Sequence, residues 1–223
     1  MIALMSTVVA ASFLLIAPSS QGNDIPVIEI QDMIYHSDIL PHHMVPRRYE
    51  LQLDFGSFET DSYLGYVGIE LSYPSTERVD RWSPEYACLT RWGRDTIVSH
   101  ARPSTRLLKV EVLMREKEPE ELKIKGIKRD SELKMIEIVL NRMKSGFGPE
   151  VWIIYGGKLR SDKLGVYVST FSDGQKEYKT IVSQFQPTVM PVSDESLHKA
   201  TFSVSILPPE HMTAYGDTDT ERL

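Results

Sequence analysis

The feature that most constrains this chain is the alternation of apolar and polar residues over short segments. From Tyr49 to Asp54 the apolar side chains occupy every second position, and the same pattern runs from Val67 to Tyr73. A period of two places the apolar side chains on one face of an extended strand, whereas an amphipathic helix needs a period near 3.6. No long segment has the helical period. The pattern therefore predicts an all-β fold.

Further alternating segments follow at intervals of about 8–15 residues, a spacing that is typical of antiparallel sandwiches and barrels. We predict strands around Ile97, Val110, Ile124, Ile138, Ile153, Val168, Ile181 and Val204. Turn-forming residues separate them, and we predict turns at Lys144–Gly146, Gly156–Gly157, Ser172–Gly174 and Pro208–Pro209. Asp173-Gly174, between two alternating segments, is the strongest hairpin signal. The predicted architecture is an antiparallel β-sandwich.

The overall charge and the cysteine content exclude several classes of protein. The 223 residues carry a net charge of −6, which argues against a general nucleic-acid surface, so we predict no nucleic-acid partner. The single cysteine, Cys88, cannot form a disulfide within the chain. Stability must therefore come from a packed apolar core, for which a chain of this length is sufficient.

The N-terminal residues differ from the rest of the chain. From Met1 to Gln21 there is no charged residue, and the segment from Ile2 to Ala17 is mostly apolar. We interpret residues 1–22 as a secretory signal peptide that is removed, which predicts a secreted, extracellular protein. A buried N-terminal helix is the alternative, and a membrane anchor is disfavoured because a span needs about 20 apolar residues. We interpret residues 23–39 as a linker and residues 40–223 as the folded domain.

The residues offer no self-contained catalytic machinery. No histidine is followed by glutamate, so the zinc-binding H-E-x-x-H motif does not occur. We interpret His36, His42 and His43 as solvated loop residues, because adjacent side chains on an extended chain point in opposite directions and chelate one ion poorly. Arginines and tryptophans intermingle between Arg78 and Arg94, where we favour a long surface loop over a ligand-stacking patch. These residues predict neither a metal site nor a catalytic residue.

Eight short sequence motifs occur in the same order as in a known protein family. They span residues 40–206 and are Leu40-Pro41 with Val45-Pro46 and Tyr49-Glu50-Leu51, Tyr66 to Leu71, Thr96 to Arg102, Tyr155 to Leu159, Gly165 to Ser169, Ser183 to Pro187, Asp194-Glu195, and Lys199 to Phe202. In this order they resemble the N-terminal domain of the M1 family of zinc aminopeptidases, the aminopeptidase N-like enzymes. The resemblance implies a saddle-like β-sandwich that, in the full-length enzymes, covers a zinc-bearing catalytic domain.

The resemblance also supplies the candidate site residues. Gln186 falls on the family position that lends a side chain to the floor of the substrate site, and Gln184 precedes it on the same strand face. The implied role of Gln186 is to accept a hydrogen bond from the free α-ammonium of a peptide, a group with donors and no acceptor. No catalytic residue and no cofactor are implied in this chain, since the zinc would belong to the catalytic domain.

The segment after Gln186 departs from the family pattern. Several residues that follow Thr188 in the family, its arginines among them, are missing, and Val192 and Ser196 replace the family's cysteine and proline. We therefore expect the loop that positions Gln186 to differ, and the segment from Val189 to Ser196 to lack the residues that usually brace it. The last strands of the family domain would lie beyond Leu223, which predicts an open sheet edge. The G-x-M-E-N exopeptidase motif does not occur in the sequence.

These observations predict a non-catalytic, secreted binding module related to the recognition of peptide N-termini. Its predicted partners are a full-length aminopeptidase or a second copy that pairs with the open sheet edge. Gln186 alone would bind peptide N-termini weakly, because one hydrogen bond to a charged group contributes about 1.5–3 kcal/mol, whereas millimolar affinity needs about 4 kcal/mol. The alternative is a truncated fragment of an M1 zinc metalloaminopeptidase, which cleaves N-terminal residues from peptides when full length. An independent enzyme is disfavoured.

Overall fold

A computed structural model describes residues 27–29, 40, 44–72, 95–115, 120–143, 148–183, 189–195 and 198–216. These residues form twelve β-strands and one short 3₁₀ helix, and they contain no α-helix. The strands are β1 Val27–Glu29, β2 Val45–Asp54, β3 Ser62–Ser72, β4 Thr96–His100, β5 Arg106–Met114, β6 Glu120–Glu121, β7 Ile124–Asp130, β8 Met135–Leu140, β9 Pro149–Lys158, β10 Val166–Ser172, β11 Glu177–Ser183 and β12 Thr201–Leu207, and the 3₁₀ helix is Phe58–Thr60. The prediction of an all-β fold is confirmed.

The strands form two larger sheets and one separate hairpin. A six-stranded sheet has the order β12-β2-β3-β9-β5-β6, a four-stranded sheet has the order β1-β7-β8-β4, and β10 pairs with β11. Neighbouring strands are antiparallel except at two sheet edges, where β12 joins β2 and β1 joins β7 in parallel. The predicted antiparallel arrangement thus holds for all the other strand pairs. The two parallel edge pairs could not be predicted from the sequence pattern, because a period of two carries no information on strand direction.

One apolar core fills the space between the two larger sheets. The alternation of β2 and β3 places Leu51 and Val67 on the inner face, where both side chains are buried. Ile136 and Ile138 of β8, in the opposite sheet, belong to the same core cluster. Burying one such side chain stabilises the fold by about 1.5–3 kcal/mol. The fold is thus sandwich-like, and its inner faces are set by the period-two pattern.

Gly156 and Gly157 do not form the predicted turn but lie inside β9, so that prediction is wrong. Gly157 pairs with Tyr63 of β3, whose ring occupies the space that a Cβ atom at position 157 would need. The reverse arrangement occurs nearby, where Tyr155 pairs with Gly65 and its ring takes the corresponding space. Gly157 and Gly65 are therefore strand residues that make room for a cross-strand aromatic ring.

The hairpin predicted at Asp173-Gly174 is confirmed. β10 and β11 pair antiparallel over their whole length, and Gly174 has a φ of 91° in the connecting turn. A positive φ strains residues that carry a Cβ atom, so glycine suits this position. The backbone N–H groups of Gln175 and Lys176 both donate to the Asp173 carboxylate and close the turn.

Part of the predicted linker takes part in the fold. Within residues 23–39, Val27–Glu29 forms β1 and pairs with β7, and just after them Leu40 is buried in a small cluster with Met135. The other linker residues, the predicted signal peptide, Cys88, the arginine–tryptophan segment and the clustered histidines lie outside the described residues. No helix in the described part of the chain is long and apolar enough to cross a membrane.

Candidate functional site

The predicted site residues Gln184 and Gln186 lie outside the described residues, which resume at Val189. The described residues that follow them in the sequence are 189–195, which we call the anchored segment. Val189 and Met190 are almost completely buried, with 0% and 1% exposure, and both belong to the main core cluster. Burial of these apolar side chains attaches the anchored segment to the sandwich.

The first polar contact of the anchored segment is a buried hydrogen bond. The hydroxyl of Tyr63 donates to the carbonyl oxygen of Val189 over 2.9 Å. The period-two pattern of β3 places Tyr63 on the inner face, where its hydroxyl needs a hydrogen-bond partner. Burial raises the pKa of the Tyr63 hydroxyl well above its ordinary value, so the hydroxyl remains a donor even in alkaline solution where an exposed tyrosine ionises.

His100 joins the anchored segment to β4. The His100 N–H donates to the Val192 carbonyl oxygen and the Val192 N–H donates to the His100 carbonyl oxygen, each over 3.0 Å. The Asp194 N–H donates to Nδ1 of the His100 ring over 3.1 Å, which makes that nitrogen the acceptor. Through this isolated bridge the anchored segment lies beside β4 at the edge of the four-stranded sheet.

A second tyrosine fixes the middle of the anchored segment. The backbone N–H of Ser193 donates to the Tyr49 hydroxyl oxygen over 2.9 Å, and burial raises the pKa of Tyr49 to about 12. The Ser193 hydroxyl lies 2.5 Å from Nδ1 of His198, and the Leu40 N–H donates to the Glu195 carboxylate over 2.8 Å. The anchored segment is therefore hydrogen-bonded to both sheets and to the chain that precedes β2.

A small cavity lies beside the anchored segment, and it is too small for a peptide. Its volume is about 20 Å³, room for about one water molecule, and its lining includes Leu40, Tyr49, Ser193 and His198. Ser193 and His198 form a hydroxyl–imidazole pair, but acyl transfer also needs room for a substrate carbonyl and donors for its oxyanion. Among the described residues, no three His, Cys, Asp or Glu side chains are arranged to hold a metal ion. We interpret the pair as a local brace.

The chain is also fixed on the other side of the predicted glutamines. β11 ends at Ser183, which pairs with Val166 at the start of β10. The carbonyl oxygen of Val166 accepts a hydrogen bond from the backbone N–H of Arg160 over 2.8 Å. Residues 184–188 are thus bounded by a paired strand residue on one side and by the anchored segment on the other.

The sequence pattern does not identify Tyr49, Tyr63 and His100 as positioning residues. The segment from Val189 to Ser196 is expected to lack the residues that usually brace it, yet its described residues 189–195 are held by these three. The sequence gives a partial indication of the two tyrosines, because a tyrosine on the apolar face of a strand brings its hydroxyl into the core. A buried hydroxyl requires a hydrogen-bond partner. Which backbone atom it meets depends on the tertiary fold.

The family comparison covers the region that contains the anchored segment. A family model described as the peptidase M1 N-terminal domain matches residues 99–222, which is more than half of the chain. The match begins at the end of β4 and includes β5 to β12. A search of the curated proteins found no match.

Proposed function

We propose that this chain, which belongs to the peptidase M1 N-terminal domain family, is a non-catalytic, secreted binding module related to the recognition of peptide N-termini. Family membership supports an aminopeptidase-related role. The secreted location is our inference from the apolar N-terminal segment, and the peptide-binding role is our inference from Gln186 and from its resemblance to the family position.

The observation that best supports this proposal is that residues 184–188 are bounded on both sides. Ser183 is paired within the hairpin of β10 and β11, and Val189 is held by the Tyr63 hydroxyl. Gln186 is three residues from each of these two fixed positions in the sequence. A binding residue that is close to fixed backbone on both sides loses less conformational entropy when it contacts a ligand.

Gln186 would act through its amide oxygen. A peptide α-ammonium has N–H donors and no acceptor, and an amide oxygen accepts one of these hydrogen bonds without the cost of desolvating a carboxylate. One such bond contributes about 1.5–3 kcal/mol, which is below the roughly 4 kcal/mol of millimolar binding. The remaining affinity would come from the zinc and carboxylates of a separate catalytic domain, beside which this module would dock.

Hydrolysis of aminoacyl reporter substrates tests the non-catalytic part of the proposal. We expect the purified chain to release no reporter above background, with or without added zinc, because its 223 residues contain neither H-E-x-x-H nor G-x-M-E-N. The control is a full-length M1 aminopeptidase under the same conditions. Hydrolysis that co-elutes with the chain and disappears with a chelator would refute this part.

A substitution at Gln186 tests the binding part. In a complex with an M1 catalytic domain that lacks its own N-terminal domain, Gln186→Ala should weaken binding of a peptide with a free N-terminus about 10- to 100-fold. An N-acetylated peptide lacks the ammonium and should bind both forms equally. Gln175→Ala is the matched control, because Gln175 is exposed in the turn between β10 and β11. Unchanged affinity of the Gln186→Ala complex for the free peptide would refute the role of Gln186.

Family membership supports the alternative function as well, a fragment of an M1 zinc metalloaminopeptidase. A transcript that continues beyond Leu223 into G-x-M-E-N and H-E-x-x-H segments would establish this alternative. A stop codon after Leu223, together with stable secreted protein, would favour the independent module.

A further inference from the structure

β12 lies at one edge of the six-stranded sheet and has features that edge strands of monomeric proteins avoid. It pairs with β2 from Thr201 beside Arg48 to Leu207 beside Asp54, and no other described strand pairs with its free edge. Its sequence, TFSVSIL, contains no charge and no proline, and its pairing with β2 has no bulge. Charged residues, prolines and bulges normally prevent an edge strand from pairing with the edge of another sheet, and β12 has none of the three. β12 is therefore a template for a further strand.

The outward-facing backbone groups of β12 can be identified from one hydrogen bond. The carbonyl oxygen of Leu207 accepts a hydrogen bond from the N–H of Phe55, so the backbone groups of Leu207 face β2. In a parallel ladder, alternate residues of a strand direct both N–H and C=O to the same neighbouring strand. The intervening residues direct theirs to the free edge, and these residues are Phe202, Val204 and Ile206.

The side chains of the same three residues form an exposed apolar face. Phe202 is 50% exposed and Val204 is 39% exposed, and Ile206 is partly buried. Phe202 stacks on the buried ring of Tyr49, with the ring centroids 4.7 Å apart, so this face of β12 continues the core face of β2. The apolar face of the sheet thus extends to its edge and remains exposed there, which is typical of interaction sites.

We propose that this edge binds a second copy of the chain, with the two β12 strands antiparallel and related by a two-fold axis at Val204. In this register Phe202 lies opposite Ile206 of the second copy, Val204 lies opposite Val204, and Ser203 lies opposite Ser205. Apolar residues therefore meet apolar residues on one face, and serines meet serines on the other. The outward N–H and C=O groups of the two copies also lie opposite each other, where they form about six hydrogen bonds.

Charges at the two ends of β12 agree with this orientation. Lys199 precedes the strand, Glu210 follows it, and both are exposed. An antiparallel pair brings the basic end of one copy to the acidic end of the other, whereas a parallel pair would bring like charges together. Because the two-fold pair occupies the same edge of both copies, association through β12 stops at a dimer.

The dimer should be weak and should depend on concentration. A single strand pair buries less than the about 1,200 Å² of a standard stable interface, which places it among transient associations. The inference goes beyond the proposed function, because it requires the exposed strand but neither Gln186 nor a catalytic domain. Failure of one proposal therefore leaves the other standing.

Disulfide crosslinking of the full chain tests the register. In a Cys88→Ser background, Val204→Cys places two thiols across the axis with Cα atoms about 5.5 Å apart, a distance that a disulfide spans. Ile206→Cys is the matched control, because its two copies lie about four residues apart along the strands, roughly 13 Å. We expect mild oxidation to crosslink the Val204→Cys chain and not the Ile206→Cys chain. A mixture of Phe202→Cys and Ile206→Cys chains should form a crosslinked heterodimer.

Sedimentation velocity provides a second readout without introduced cysteines. The unchanged chain should shift from monomer to dimer as its concentration rises, and Val204→Lys should remain monomeric because like charges would meet on the axis. Leu108→Lys, at a similarly exposed apolar position on β5, should dimerise like the unchanged chain. Circular dichroism checks that both variants fold.

Four outcomes would overturn the proposal. In sedimentation, these are an unchanged chain that stays monomeric at high micromolar concentration and a Val204→Lys chain that still dimerises. In crosslinking, it is equal crosslinking of the Val204→Cys and Ile206→Cys chains. In hydrogen exchange, it is protection of β12 only when a strand from a different protein is added.

Discussion

The hydrogen bond between Tyr63 and Val189 can be tested by removing one atom. Tyr63→Phe deletes the hydroxyl that donates to Val189 over 2.9 Å and leaves the ring in place over Gly157. Val189 has 0% exposure, so water does not replace the lost donor. We expect the free energy of unfolding to fall by about 1–3 kcal/mol, the usual cost of leaving a buried polar group without its partner.

Tyr155→Phe is the matched control for this substitution. Tyr155 also has 0% exposure and lies over a glycine, Gly65, and its ring meets that of Tyr63 edge-on with centroids 6.5 Å apart. The Tyr155 hydroxyl, however, has no hydrogen-bond partner in the described structure. Deleting it removes a buried polar group without breaking a bond, so the free energy of unfolding should stay constant or rise by up to about 1 kcal/mol.

Urea unfolding, followed by tryptophan fluorescence, compares both variants with the unchanged chain. Thermal melting gives a second reading, because about 1 kcal/mol shifts the melting temperature of a domain of this size by about 2–4 °C. Equal destabilisation by Tyr63→Phe and Tyr155→Phe would refute the reasoning, since ring packing and not the bond to Val189 would then determine the stability. Unchanged stability of the Tyr63→Phe chain would refute it as well.

Three further predictions concern the same core. Gly157→Ala should lower the free energy of unfolding by about 1–3 kcal/mol, because the new Cβ atom would overlap the Tyr63 ring. Gly156→Ala is the control, since a Cβ atom at that position would contact no other atom. Equal melting temperatures of the two variants would contradict this prediction. Stability should fall as the pH rises from about 10 to about 12, because the unfolded chain loses the Tyr49 proton near 10, whereas the folded chain keeps it up to a pKa of about 12. Urea midpoints with phenolate absorbance measure this effect, and constant midpoints over that range would rule it out. Arg129→Met should lower the free energy of unfolding by about 2–3 kcal/mol, because the buried guanidinium donates hydrogen bonds to two carbonyl groups of the loop after β4. Unchanged amide hydrogen exchange in that loop would show that Arg129 does not brace the loop.

Local signals in the sequence predicted a large part of the fold. β2 and β3 lie where the period-two alternation indicates, and the turn between β10 and β11 lies at Asp173-Gly174. These features depend on neighbouring residues alone. Gly156–Gly157 was predicted wrongly for the opposite reason, since a glycine pair indicates a turn locally, whereas the space at Gly157 serves Tyr63 on another strand.

The surroundings of the candidate site could not be predicted in the same way. Gln184 and Gln186 come from the resemblance to a family, and no local pattern points to them. The partners that hold the anchored segment are distant in the chain, since Tyr63 is 126 residues from Val189 and Tyr49 is 144 residues from Ser193. A strand pattern indicates that these tyrosines are buried, but only the folded chain shows which atoms they meet.

Docking beside an aminopeptidase is the central property that we propose for this chain. Size-exclusion chromatography with light scattering tests it most directly, with the purified chain alone and mixed with a full-length M1 aminopeptidase from the same source. The Val204→Lys chain is run in parallel, so that self-association does not contribute. We expect a shared peak whose mass is the sum of the two proteins, and no shared peak with an unrelated zinc peptidase. Separate elution of the chain and the M1 aminopeptidase at high micromolar concentration would contradict the proposed function.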